Sequence, residues 1–186
     1  MEQKSDAALM ELTARGDTVA FKALYGRYEH RLFNFVLRLT GHRELAQDLI
    51  QDTFVRLWSM APLFDPRRGT LRAWLYKMAL NLVHTEMRRK IHGQSFEPLD
   101  DQRTSLPRAE DAAQGEERHQ ALLRLQRAVK ALPPHLREVI VLKCYEDLMF
   151  REIADITGAP EGTLKARYYR AVMHLKKDFN LEGETS

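Results

Sequence analysis

The side chains best suited to chemistry in this sequence lie near its C-terminal end. Thr163, Ala166, Arg167, Arg170 and His174 recur on one face of a helix-spaced segment, with Lys165 and Tyr169 on its flank. Short side chains let a helix backbone come close to a DNA groove, and arginine bridges two acceptors on a guanine edge or clamps a phosphate. Leu164, Tyr168, Ala171, Val172 and Leu175 recur on the opposite side. Ile153, Ala154, Ile156 and Thr157 carry a short preceding helix, which Gly158-Ala159-Pro160 breaks before the next begins. The stretch 147–177 therefore reads as a DNA-binding helix-turn-helix. An ordinary helical hairpin with a solvated basic face has the same pattern, and the pattern alone does not choose between them.

A second set mixes aromatics with hydrogen-bonding and cationic groups. Phe64 and Tyr76, read as exposed, combine with Arg67, Arg68, Lys77 and Asn81, a mixture that holds unstacked bases by stacking and amide hydrogen bonds. Trp74 and Tyr76 would serve equally as core or rim aromatics. A third set, Gln47, Asp48, Gln51, Asp52 and Arg56, makes the polar side of an amphipathic helix, and a solvated flank is its ordinary meaning. Arg88-Arg89-Lys90 closes another helix, where the helix dipole alone favours cations.

Enzymatic chemistry finds little support. There is no Gly-rich phosphate loop followed by Lys-Ser/Thr and no pair of histidines at metal-ligand spacing, and His84 and Glu86 do not face each other on a helix. No nucleophile, base and oxyanion donor converge. The expectation is a protein with no catalytic residues, no metal and no cofactor. A single cysteine excludes a disulfide within the chain and a cysteine zinc cluster. Cys144 follows the apolar run Val139-Ile140-Val141-Leu142 and is expected in the core. The 186 residues carry a formal net charge of +3, so only clustering of charge can argue for nucleic acid. The N-terminal stretch lacks the pattern of a signal peptide and no window is apolar enough to span a bilayer, which makes a cytoplasmic protein the expectation.

Helices must position these sets. Leu9, Met10 and Leu12 suggest a short one stopped by Gly16, and Asp17 caps a longer one bearing Phe21, Leu24, Tyr25, Tyr28, Leu32, Phe35, Val36 and Leu39. A third runs over about 43–60, and after a Pro- and Arg-containing loop Thr70 caps a fourth with Leu71, Trp74, Leu75, Met78, Leu82 and Val83. Apolar periodicity vanishes from Ile91 to Glu117, where acidic residues outnumber basic ones. It resumes at Leu122, and Pro133-Pro134 starts another helix. The fold class is all-α: two small helical domains, 1–90 and 118–186, joined by a flexible acidic linker, 91–117.

Taken in order, several stretches resemble the extracytoplasmic-function (ECF) sigma factors of bacterial RNA polymerase, in the sigma-70 superfamily. They are Ala46-Gln47-Asp48-Leu49-Ile50-Gln51-Asp52-Thr53-Phe54, Thr70 to Arg89 with Trp74-Leu75-Tyr76 and Asn81, Leu132-Pro133-Pro134, and Glu152-Ile153-Ala154 with Gly162-Thr163-Leu164-Lys165-Ala166-Arg167. The resemblance covers nearly the whole chain. It implies that 1–90 is sigma region 2, which binds core polymerase and captures the minus-ten element, and that 118–186 is sigma region 4, which reads the minus-thirty-five element. Asp48, Gln51 and Asp52 would grip the clamp helices of the β′ subunit. Phe64 and Asn81 would line a pocket for a flipped base, with Arg67 and Arg68 in the loop around it. Trp74, Tyr76 and Lys77 would hold the non-template strand, with Arg88 and Arg89 counted in the same DNA-facing set.

In the second domain, Lys165, Ala166 and Arg170 would read duplex DNA, Thr163 would stand beside them, and Arg167 would hold the backbone. The implied partners are core RNA polymerase, through its β′ clamp helices and β flap, promoter DNA as duplex and melted non-template strand, and an anti-sigma factor. Membrane contact would come only through the anti-sigma partner. The two domains would lie too far apart on promoter DNA to touch. The family usually has serine where Ala166 stands, and often valine at Leu164 and aspartate at Thr85. A free-standing dimeric helix-turn-helix regulator is the alternative, and it leaves Asp48 to Arg89 without a role.

Overall fold

The computed structural model describes the backbone of residues 4–91 and 115–183, and side chains over 4–89 and 120–177. The acidic stretch between the two segments lies outside the described residues. Among the described residues the chain is helical and without strands: α1 (Asp6–Ala14), α2 (Thr18–Thr40), α3 (Arg43–Met60), α4 (Leu71–Ile91), α5 (Gly115–Ala131), α6 (Pro134–Ile140), α7 (Phe150–Thr157) and α8 (Glu161–Gly183).

The helix limits follow from local chemistry. Asp17 Oδ1 accepts from the Val19 and Ala20 amides at 2.8 and 3.0 Å, giving two orphan donors of α2 a partner. At the other end Gly41 adopts φ 72° and its amide donates to the Leu37 carbonyl, a left-handed cap that a side chain resists. Thr70 caps α4 through its hydroxyl, which accepts from the Ala73 amide at 3.2 Å. The buried polar residues of α1–α3 are hydroxyls with a local acceptor: Thr13, Thr40 and Thr53 donate to Leu9, Val36 and Leu49 carbonyls one turn back.

Residues α1–α4 make one bundle. Leu24, Leu32, Phe35 and Val36 of α2 meet Ile50, Phe54 and Leu57 of α3 and Leu71, Leu75 and Leu80 of α4, all essentially excluded from solvent. Each such side chain contributes about 1.5–3 kcal/mol by leaving water. α1 is held by a polar tie as well as packing, since Asp6 accepts from the Tyr28 hydroxyl and pairs with Arg27.

The second bundle, α5–α8, has its centre at Leu136, Val139, Ile140, Ile153, Ile156, Leu164 and Ala171. α6 does not end where its α pattern does. It widens into a π turn over Val141–Tyr145, closed by Glu146 N–H to Val141 O at 3.2 Å, and Asp147 then takes φ 51°. The widened turn changes which way the following residues face. Glu146 and Leu148 come out buried, while Cys144, expected in the core, is exposed. That expectation assumed an uninterrupted α register; the π turn carries the cysteine outward.

The bundles pack directly against each other, α4 on α7 and the end of α2 on α6 and the π turn.

Candidate nucleic-acid interface

α4 sorts its side chains into separate stripes. Positions 74, 77, 81 and 88 fall within a narrow sector at about 100° per residue. Lys77, Asn81 and Arg88 on it are exposed, and Trp74 is half-buried with its ring centroid 5.4 Å from that of Phe64. Phe64 begins the loop that leads to α4, and further along it Arg67 and Arg68 are exposed. The loop is shaped by Asp65, whose carboxylate accepts from Arg67 Nε and Nη2, each at 3.0 Å, and from the Arg67 amide at 3.0 Å. These bonds hold the Asp65 carboxyl below its ordinary pKa. Arg89 is exposed further along α4. The arrangement offers two adjacent aromatic faces, an amide and a row of cations, which suits an unpaired strand.

Tyr76 departs from this set. It is fully buried, packs its ring 4.9 Å from Phe35, and donates its hydroxyl to the Glu146 carboxylate of the second bundle. Two positions beyond Trp74 is about 200° around a helix, so neighbours in sequence face opposite sides. Burial, then the bond to Glu146, raises the Tyr76 pKa above its ordinary value. The expected exposed aromatic is thus a buried one in this structure.

On α3, Asp48, Gln51 and Asp52 are all exposed. Gln51 also lines a groove of about 560 Å³ between α2 and α3, walled by Phe21, Tyr25, Phe54, Val55 and Trp58. Val55 is 60% and Trp58 38% exposed. An apolar trough with a polar, acidic rim has the anatomy of a protein interface. Sequence reading singled out the rim and missed the trough. The signal was Val55, an apolar residue intruding on the polar side of α3.

The helix-turn-helix pair forms as its sequence suggests. Gly158 sits at φ 75°, its amide donates to Ala154 O at 2.8 Å, and the Thr157 hydroxyl accepts from the Ala159 amide at 3.2 Å. Leu164 and Ala171 seat α8 in the bundle and leave Thr163, Lys165, Ala166, Tyr169, Arg170 and His174 exposed, with Arg167 half-buried. Lys165 Nζ stands 3.8 Å from Glu161 Oε2. Tyr168 meets Phe150 edge-on at 5.8 Å, and the nearby Cys144 raises its pKa. α8 packs on α5, α6 and α7, so its outer face stays open. No cluster of metal-ligating groups occurs among the described residues, and none of their helices is long and apolar enough to cross a membrane.

Comparison with known proteins agrees across both bundles. Residues 24–91 match Sigma-70 region 2, and residues 122–175 match Sigma-70, region 4. The chain is 30% identical to the ECF RNA polymerase sigma factor RpoE of Cereibacter sphaeroides over 185 residues, covering 95% of this chain and 98% of that protein. Among solved structures it is similar to the sigma factor RpoE in complex with the anti-sigma factor NepR from Bartonella quintana, with TM-score 0.69, 25% identity, and 86% and 96% of the two chains covered. CnrH in complex with the cytosolic domain of CnrY shares the fold, with TM-score 0.71, 24% identity, and 98% and 100% covered.

Proposed function

This chain belongs to the sigma-70 family as an ECF RNA polymerase sigma factor, and from that premise we propose how its two bundles divide the work. Sigma factors recognise promoters, start transcription with core RNA polymerase, and are not enzymes. In the proposed division, 1–90 binds polymerase and captures the melted minus-ten strand, 91–117 connects, and 118–186 docks on the minus-thirty-five duplex.

The observation that carries the strand-capture role is the α4 stripe, where Trp74 beside Phe64, Lys77, Asn81 and Arg88 share one side of a helix. A base taken out of the stack gains ring contact with Phe64 and Trp74 and hydrogen bonds from Asn81, while Arg67, Arg68, Arg88 and Arg89 meet phosphates. Binding an already unpaired base offsets the cost of unpairing it, so melting is trapped without nucleotide hydrolysis. Asp48, Gln51 and Asp52 hold the β′ clamp helices, and the apolar trough beside them supplies the buried centre of that contact. On α8, Lys165, Ala166 and Arg170 face base edges, with Thr163 alongside, and Arg167 braces the backbone. Region 4 also meets the β flap.

An anti-sigma factor is a further proposed partner, supported by the complex in which the similar Bartonella sigma factor was solved. The protein works in the cytoplasm, meeting a membrane only through such a partner. Run-off transcription with core polymerase and a promoter library tests the whole reading. Transcripts that require both this chain and paired minus-thirty-five and minus-ten sequences are expected. Tight duplex binding by the chain alone, with no transcripts on any template, overturns it.

A further inference from the structure

α8 presents more than cations to solvent. Leu164 and Ala171 are fully buried and Tyr168, Val172 and Leu175 partly so, which fixes the inward side of the helix. Counted from Leu164 at about 100° per residue, Tyr169, Met173 and Ala166 fall at roughly 140°, 180° and 200°, opposite that inward side. All three are exposed, Tyr169 at 68% and Met173 at 66%. They lie on successive turns, so they are neighbours along one stripe. Arg167, half-buried, stands well off to one side.

An isolated exposed apolar side chain is ordinary, whereas two large ones in line with an alanine leave an apolar strip at the centre of the outward side. The strip is also braced. The Tyr169 ring meets the Tyr168 ring edge-on at 5.8 Å, and Tyr168 meets Phe150 of α7 edge-on at 5.8 Å. Lys176 at roughly 120° and Lys177 at roughly 220° are exposed on either side of Met173. An apolar line between cations suits a major groove, where base edges lie between two ridges of phosphate. It does not suit the centre of a protein interface, from which lysine is depleted.

We infer that Ala166, Tyr169 and Met173 read the 5-methyl groups of thymines in the minus-thirty-five element. The inference rests on the proposed role of α8 and names what that helix selects. In the major groove thymine alone carries a methyl group, whereas cytosine presents an amino donor that an apolar side chain would leave unpaired. Alanine at 166 lets the backbone approach, Tyr169 lays its ring against one methyl, and unbranched Met173 adjusts to the next. Ala166 to Met173 spans about 10 Å of helix, on the order of three base steps. A thymine-bearing run of that length is the expected neighbour of a guanine bound by Arg170.

Uracil is thymine without the methyl, which allows that group to be tested alone. Holoenzyme assembled from core polymerase and the full chain is measured by competition against promoter duplexes in which each thymine of the minus-thirty-five element, on either strand, is replaced singly by uracil. Burying one methyl changes affinity about fourfold, and the wild type should lose about that much at roughly one to three neighbouring positions. Tyr169→Ala and Met173→Ala should each bind thymine and uracil equally at one of those positions and keep the preference at the others. Equal helicity by circular dichroism qualifies each variant. Uracil tolerated at every position, or a minus-thirty-five element without thymine, overturns the methyl readout. If base-pair changes in that element still weaken binding, α8 remains its reader; if none does, the proposed role of α8 falls as well. Methyl sensitivity unchanged in both variants overturns the assignment to these side chains. Weaker association of either variant with core polymerase, with uracil tolerated throughout, assigns the strip to a protein contact instead.

Discussion

Replacing Arg170 with alanine separates base reading from phosphate binding on α8. The side chain is exposed and makes no ion pair among the described residues, so its loss should change folding stability by no more than about 0.5 kcal/mol. A bidentate contact to a guanine edge is worth about 1–3 kcal/mol, which is roughly a 5- to 150-fold loss of affinity. The loss should fall on one promoter position, leaving discrimination elsewhere intact. Arg167, which the proposed reading places on the DNA backbone, is the internal control. Arg167→Ala is then expected to weaken all sequences alike and to flatten the salt dependence by about 0.9 in log–log slope. Competition binding of holoenzyme to duplexes altered singly across the minus-thirty-five element, over a range of salt, measures both quantities. If Arg170→Ala instead weakens every duplex equally and flattens the slope, the arginine is a phosphate clamp. Should neither variant change affinity or slope, the outer face of α8 is not the DNA face.

Other expectations follow from the same geometry. Asp48→Arg should abolish association with core polymerase in gel filtration while its thermal midpoint moves by no more than about 2 °C, because the residue is exposed; surviving association means α3 is not the interface. Asn81→Ala should impair open complexes, followed by permanganate reactivity of unpaired thymines, more than duplex binding, and equal losses in both would refute the flipped-base role. Gly158→Ala should cost about 1–2 kcal/mol in denaturant unfolding, since a Cβ there meets nothing within 4 Å and only left-handed backbone strain at φ 75° is added; a loss well above this would mean a clash the geometry lacks. Burial, and then bonding to Glu146 and Asp6, raises the pKa of Tyr76 and Tyr28 above the ordinary 10.0. Their neutral hydroxyls therefore contribute stability fully below that value and lose it as pH climbs through the higher folded-state values. Tyrosinate absorbance should lag for these two and rise together with loss of helix. If all six tyrosines ionise near the ordinary value with helicity unchanged, that reasoning fails.

Much of the architecture was legible one helix at a time. Asp17, Thr70, Gly41 and Gly158 act locally, through bonds and dihedrals within a few residues of themselves, so sequence alone sets where α2, α4 and α7 start or stop. Apolar spacing likewise determined the buried sides of α2 and α8, except that Tyr25 of the α2 stripe is exposed along the groove beside α3, and the order of stretches from Ala46 to Arg167 pointed to the sigma family. Tertiary structure decided the rest. Tyr76 reads as a DNA-facing aromatic until Glu146, seventy residues on, is brought to its hydroxyl. Cys144 reads as core until the π turn rotates it outward. Arg137 and Glu138 have no evident task in sequence, because their partners Leu39 and His84 lie in the other bundle. Local rules fix elements because the interacting groups are neighbours in the chain. Which polar groups must share burial is set only when distant helices meet, as Tyr76 and Glu146 do here.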